Sequence, residues 1–361
     1  MVNFLQFIIV FFLFSGNLLA QKKIISTFVA PDDKKVIYQG RILYNNDKSA
    51  LMWSASSASV RFKGTKISAI LQDTKGKNYY NVIIDYDSIT LLQPGKEKKE
   101  YVLAENLPYG EHIVELFKRS EWSMGTTYIY GFNIVGKALK PRNKKKLKLE
   151  FYGNSITSAC GVEDYSGKDR LDTIFTNSYF SYASFTARAL NADYRIISKG
   201  GIGIMISWFP LIMPELYYRL IPTNANSYHN FKNYTPDIVI INLLQNDSWL
   251  IKKPNHPEFI HRFGRKAPPE NEIVSAYKNF VSKIRKEYPH AKIICMLGNM
   301  DATRKGSPWP QYIKQAVNVM HDKNIFTLFV PYKNTPGHPK IEEQKAMADI
   351  LTRFIKQKVL Q

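Results

Sequence analysis

The stretch LEFYGNSITSACG, Leu149 to Gly161, carries an apolar strand into Gly-Asn-Ser and then into the start of a helix. The chain beyond it repeats that alternation. KLEFYG is followed by a helical pattern over SYFSYASFTARAL and the strands YRIIS and DIVIINLL. Then come a helix over ENEIVSAYKNFVSKIRKEY, the strand KIICMLG, a helix over PQYIKQAVNVMHDK, the strand NIFTLFV and a closing helix IEEQKAMADILTRFIKQKV. The strands are apolar on both faces and helices intervene, which is the pattern of a parallel sheet covered on both sides. In such sheets ligand sites lie beyond the carboxyl ends of the strands. That rule brings Ser155, Gly201, Asn246 and the segment after Val330 to one rim.

Upstream the pattern differs. Residues 22–140 hold short runs rich in Val, Ile, Tyr and Phe, such as ASVRFKG, KISAILQD, YYNVIIDYD and TTYIYGFNIVG. Turn residues in DTKGKN and LPYGEH separate them, so this part reads as an all-β sandwich or jelly roll. The basic segment PRNKKKLK links it to the alternating part, which runs over 147–361. Residues 1–20 form an uncharged apolar run ending in small residues, the pattern of a secretory signal peptide cleaved after Ala20, although no Lys or Arg stands near its start. No later segment has an apolar run long enough to span a bilayer.

The formal charge of +20 excludes little by itself. The lysines are scattered and no nucleic-acid motif accompanies them, so a solvated basic exterior, or an anionic glycan as partner, fits better than nucleic acid. Cys160 and Cys295 are the two cysteines and read as free thiols. His112, His256 and His261 show no metal-ligand spacing.

A serine at a strand end is chemically useful only with a base and donors for a developing oxyanion. Ser155 alone also reads as a helix N-cap, and GNSIT is not the Gly-x-Ser-x-Gly elbow. SKGGIGI (198–204) follows a strand with glycines that leave N–H groups open, or is a plain turn. NLLQNDSW (242–249) ends a strand on Asn246 and Asp247, or is an Asx-turn. TPGHPKIEEQ puts His338 in a loop before the last helix.

Together, in this order, the four segments resemble the SGNH (GDSL-type) hydrolases. Combined with GRILY, FKGT, YGEHIVELFKRSEW and IYGF upstream, the chain resembles carbohydrate esterase family 2, extracellular deacetylases of acetylated plant polysaccharides. The resemblance implies a flavodoxin-like three-layer α/β/α hydrolase domain after the sandwich. It implies Ser155 as nucleophile, His338 as general base, and an oxyanion hole from the N–H groups of Ser155 and Gly201 and the side chain of Asn246. It calls for no metal or cofactor. Asp247 is expected to orient its loop, and with Trp249 and Trp208 it is a candidate for the substrate wall. Trp309 also falls near the rim, whereas Trp53 and Trp122 belong to the β half.

Three departures stand out: Asn154 for an Asp, Leu244 for a Gly, and Thr335 where the superfamily often has an Asp that orients its His. A Ser–His dyad held by a backbone carbonyl would tolerate the last, and Glu163 or Asp164 are spatial substitutes that no sequence feature supports. The expected function is a secreted serine esterase acting on acetylated xylan or mannan. The alternatives are an envelope-glycan O-acetylesterase or acetyltransferase, and an inactive carbohydrate-binding homologue.

Overall fold

A computed structural model describes residues 26–45, 47–142, 145–170 and 172–360. The signal-peptide reading of residues 1–20 lies outside these. Ten strands form the first sheet: β1 Ser26–Val29, β2 Val36–Gln39, β3 Leu43–Asn45, β4 Lys48–Leu51, β5 Ser57–Asp73, β6 Tyr80–Ile84, β7 Ser88–Leu92, β8 Lys99–Ala104, β9 Gly110–Lys118 and β10 Thr127–Ala138. All its pairings are antiparallel. The long β5 organises it, pairing with β9, β10, β2 and β8. Its side chains alternate faces on either side of a bulge at Thr65, so Val60 and Phe62 before it and Ile67, Ala69 and Leu71 after it build one core with Leu116 and Ile134.

The second sheet is parallel, with β11 (Lys148–Gly153), β12 (Asp193–Ser198), β13 (Ile238–Asn242), β14 (Lys292–Leu297) and β15 (Ile325–Phe329) in the order β12-β11-β13-β14-β15. The helical segments between are α1 (Ser155–Ser158), α2 (Tyr182–Ala189), α3 (Met213–Leu216), α4 (Gln245–Leu250), α5 (Pro257–Phe263), α6 (Glu270–Glu287), α7 (Trp309–Asn318) and α8 (Ile341–Phe354). Every residue of β13 is buried, because α6 and α7 cover one face of the sheet and α2 and α8 the other. Helix α6 shows how: Ile273, Tyr277, Phe280, Val281 and Ile284 form one buried stripe at helical spacing.

The helix expected over 178–190 is shorter than its periodicity suggests. Ser181 caps Ser184 N–H and restarts the chain as α2 after a 3₁₀ turn. The helix expected over 310–323 likewise ends at Asn318.

The two sheets are joined by a buried charge. Arg41 donates to Glu150 Oε1 at 2.6 Å and to Tyr152 Oη at 3.1 Å, and Tyr288 Oη donates to Glu150 Oε2 at 2.7 Å. Neither charged side chain of the pair has any exposed surface, so each depends on the other to offset its desolvation. This fixes β11, and hence the rim that follows it, against the first sheet.

Candidate active site

Ser155 opens α1 immediately after β11 and is nearly buried, at 7% exposure. Asn154 Oδ1 accepts the Ile156 N–H at 3.0 Å and so caps the turn. A Cβ on Gly153 would lie 1.9 Å from Thr157 Oγ1. The glycine is therefore needed for space beneath the helical turn.

His338 Nε2 lies 2.9 Å from Ser155 Oγ. Behind it, His338 Nδ1 is 2.9 Å from Asp169 Oδ2 and 3.1 Å from Asp169 Oδ1, and its backbone N–H donates to Asp169 Oδ1 at 2.8 Å. The carboxylate missing from position 335 is thus supplied from far away in sequence, and no backbone carbonyl is needed to hold the imidazole. Thr335 instead exchanges hydrogen bonds with Lys333 and Glu343. The hydrogen bond from His338 holds the Asp169 carboxyl down at about 2, against partial burial that would raise it. Gly337, at φ +69°, makes the approach possible, since a Cβ there would meet Asp169 Oδ1 at 2.8 Å.

Neither Glu163 nor Asp164 takes this role. Asp164 accepts the Arg170 N–H at 2.6 Å and its guanidinium at 2.9 Å, which folds the loop that presents Asp169. Glu163 is engaged by Arg119 and by Asn177 at 2.8 Å.

The groups expected from the sequence to serve an oxyanion stand after three strands, β11, β12 and β13. The N–H groups of Ser155 and Gly201 have no acceptor among the described residues. Asn246 donates one Nδ2 hydrogen to Ile202 O at 2.8 Å and accepts Trp208 Nε1 at 3.1 Å, which fixes the amide and leaves its second hydrogen. Leu244, in place of the usual glycine, adopts φ +77° all the same. Asp247 does not face a substrate wall. It is fully buried and accepts the N–H groups of Ile204, Met205 and Ile206 at 2.7–3.2 Å. Burial pushes its carboxyl up to about 6, and those N–H bonds oppose the shift. Its work is to tie the 201–206 loop to α4.

Sequence reading missed the use made of Lys118-Arg119-Ser120-Glu121. Lys118 is buried and donates to Ser120 O at 2.8 Å and Glu121 O at 3.1 Å. Burial pulls its amine down to about 7, with Asp73 and Glu121 opposing. Arg119 also donates to Ile174 O at 2.7 Å, beyond the Asp169 loop. Glu121 accepts the Gly200 N–H and Lys199 Nζ (2.8 Å). Burial would raise the Glu121 carboxyl, but Lys199, Ser158 and the Gly200 N–H together outweigh it and the carboxyl sits below its ordinary value. Four charged or polar residues continuing an apolar strand were the available signal.

Of the aromatics, Trp208 is 42% exposed beside Gly201, whereas Trp249 is half-buried and donates Nε1 to Asp301 Oδ2 at 3.0 Å. Trp309 and Trp53 are core residues. Among the described residues, no three His, Cys, Asp or Glu side chains are placed to hold a metal ion, and Cys160 and Cys295 are buried and unbridged. No helix among them is long and apolar enough to cross a membrane. Chemically, the arrangement offers a hydroxyl, a base oriented by a carboxylate, and N–H groups that are free to donate.

The family described as Carbohydrate esterase 2 N-terminal matches residues 38–141. A family two carbohydrate esterase from Clostridium thermocellum, solved with cellohexaose, superposes with a TM-score of 0.80 at 30% identity, covering 90% of this chain and 99% of that one. Cellulase/esterase CelE of Acetivibrio thermocellus is 31% identical over 91% of this chain, which spans 40% of that relative's length. An acetylxylan esterase / glucomannan deacetylase of Cellvibrio japonicus is 25% identical over 91% of this chain and 90% of its own.

Proposed function

The chain belongs to carbohydrate esterase family 2, and from that we propose that it is a secreted serine esterase removing O-acetyl groups from polysaccharides or oligosaccharides such as acetylated xylan or mannan. The observation that carries this reading is the 2.9 Å contact between Ser155 Oγ and His338 Nε2, with Asp169 on the other ring nitrogen. The relatives named above supply the substrate class, and the apolar leader at 1–20 supplies the export.

Ser155 Oγ attacks the acetyl carbonyl carbon while its proton passes to His338 Nε2. The negative charge that develops on the carbonyl oxygen is met by the N–H groups of Ser155 and Gly201 and by Asn246 Nδ2. Asp169 accepts a hydrogen bond from Nδ1–H and stabilises the imidazolium without itself being protonated. The bond to the sugar oxygen then breaks, the imidazolium returns its proton to that oxygen, and Ser155 is left acetylated. A water deprotonated by His338 attacks the acetyl group. Acetate leaves, and the proton returns to Ser155 Oγ.

The test is acetate release from p-nitrophenyl acetate and acetylated xylan by wild type, Ser155→Ala and His338→Ala. Loss of more than ~10³-fold in both variants is expected. No release from any acetyl ester by folded wild type would overturn the reading.

A further inference from the structure

Beside this centre lies a cavity of about 450 Å³, lined by Trp249 and Lys252 at the end of α4 and by Asp301, Arg304 and Lys305 after β14. It opens on the same rim. Trp249 is about one helical turn beyond Asn246, and Arg304 donates to Tyr332 Oη at 2.8 Å, in the loop that continues to His338.

Its charges do not balance. Asp301 accepts from Arg304 at 2.8 Å and from Trp249 Nε1 at 3.0 Å, so the one carboxylate in the lining is already engaged. Arg304 is held in turn by Asp301 and by the Tyr332 ring, 4.6 Å from its guanidinium carbon. Lys252 and Lys305 have no acidic partner among the described residues. A third ammonium, on Lys253, stands 5.8 Å from the Trp208 ring. A flat indole beside two uncompensated ammonium groups is chemistry for a sugar ring that carries an anion.

We propose that this cavity is a subsite for a uronic-acid residue of the polysaccharide, its carboxylate received by Lys252 and Lys305 and its ring by Trp249. The inference rests on the esterase reading for its substrate and adds that the polymer is acidic. Lysine suits such a carboxylate as a mobile point charge on a flexible stem. The formal charge of +20 adds long-range attraction for a polyanion.

The test uses the full chain in two arms. Calorimetric titration compares a glucuronic-acid-bearing xylo-oligosaccharide with the linear neutral one, both free of acetyl groups. Wild type binds the acidic ligand at least fivefold more tightly, and the margin shrinks as salt rises. The paired substitution Lys252→Ala with Lys305→Ala abolishes the margin, and Lys252→Arg with Lys305→Arg preserves it. Equal affinity of wild type for both ligands, or a margin that survives the alanine pair, overturns the subsite. The second arm measures acetate release from acetylated glucuronoxylan relative to acetylated glucomannan. That ratio falls at least fivefold in the alanine pair. Absence of all acetate release by wild type would overturn the esterase reading alone, because the binding arm still decides the subsite.

Discussion

Glu121, between β9 and β10 of the antiparallel half, accepts the backbone N–H of Gly200 in the parallel half, one residue before the N–H assigned to the oxyanion. Glu121 thereby anchors the Lys199–Gly200 peptide, the one next to the peptide that carries the Gly201 N–H. Its Lys199 partner keeps the carboxylate charged despite burial.

Glu121→Ala should therefore lower kcat for p-nitrophenyl acetate by up to ~10², less than or equal to loss of an oxyanion donor itself. KM should change little, because the donor acts on the transition state. Glu121→Gln keeps an acceptor oxygen and should recover part of the rate. Steady-state kinetics check this, and an equal loss in both variants, or an effect confined to KM, would count against the positioning role.

Asp169→Asn should lower kcat by about 10²–10⁴, since the amide no longer enforces the Nδ1–H tautomer. With its carboxyl held at about 2, Asp169 is charged throughout the neutral range, so the carboxylate faces the imidazole wherever turnover is measured. Removing the negative charge disfavours the imidazolium that forms in the transition state. The loss should therefore fall on kcat and leave KM for p-nitrophenyl acetate nearly unchanged, and a kcat equal to that of wild type would show that Asp169 does not act on His338.

Trp208 combines an exposed ring with an N–H that fixes Asn246. Trp208→Phe keeps a ring and loses the hydrogen bond, worth a net of about 1 kcal/mol. It should cost about fivefold in kcat on p-nitrophenyl acetate with little change in KM for oligosaccharide. Trp208→Ala should show the same kcat loss and a raised oligosaccharide KM as well. Matching KM values in the two variants would separate the ring from substrate binding.

Gly337→Ala places a Cβ 2.8 Å from Asp169 at a left-handed backbone position. It should destabilise by about 1–3 kcal/mol and reduce turnover. Gly264 shares the left-handed backbone at φ +66° but has nothing within 4 Å of a would-be Cβ. Gly264→Ala should lower the melting temperature while leaving turnover alone, which isolates the contact with Asp169.

Lys118 titrates near 7 when folded and near its ordinary, higher value when unfolded. Below pH 7 both states hold the proton and the desolvation cost is fully present. Between pH 7 and the unfolded value the unfolded chain binds more protons, so stability contributed by this group rises with pH. The melting temperature of wild type minus that of Lys118→Met should increase from pH 7 to pH 9. A constant difference would show that the amine is not buried as described.

The local strand-to-turn-to-helix pattern marked Ser155, Gly201 and Asn246, because each sits where an apolar run stops and the backbone must turn. His338 was visible for a similar reason, in a loop just before an amphipathic helix. Asp169 was not. Its loop carries no periodicity, and the residue is unremarkable until Gly337 lets the His338 loop pack against it. Glu121 was legible only as part of KRSEW, a mark of resemblance without a role. Asp247 was singled out for the right loop but partly for the wrong face.

The amino-acid order by itself determined the alternation that builds the parallel sheet, the antiparallel half before it, and which strand ends carry reactive side chains. Those are properties of side-chain periodicity over a few residues. Only the tertiary structure decided which carboxylate stands behind His338, which residue anchors the peptide before Gly201, and that two lysines beside Trp249 have no acidic partner among the described residues. Each depends on groups brought within about 3 Å, or kept apart, by packing between segments far apart in the chain, 79 residues for Glu121 and Gly200 and 169 for Asp169 and His338, and hydrogen bonds are too short and directional for sequence spacing to reveal.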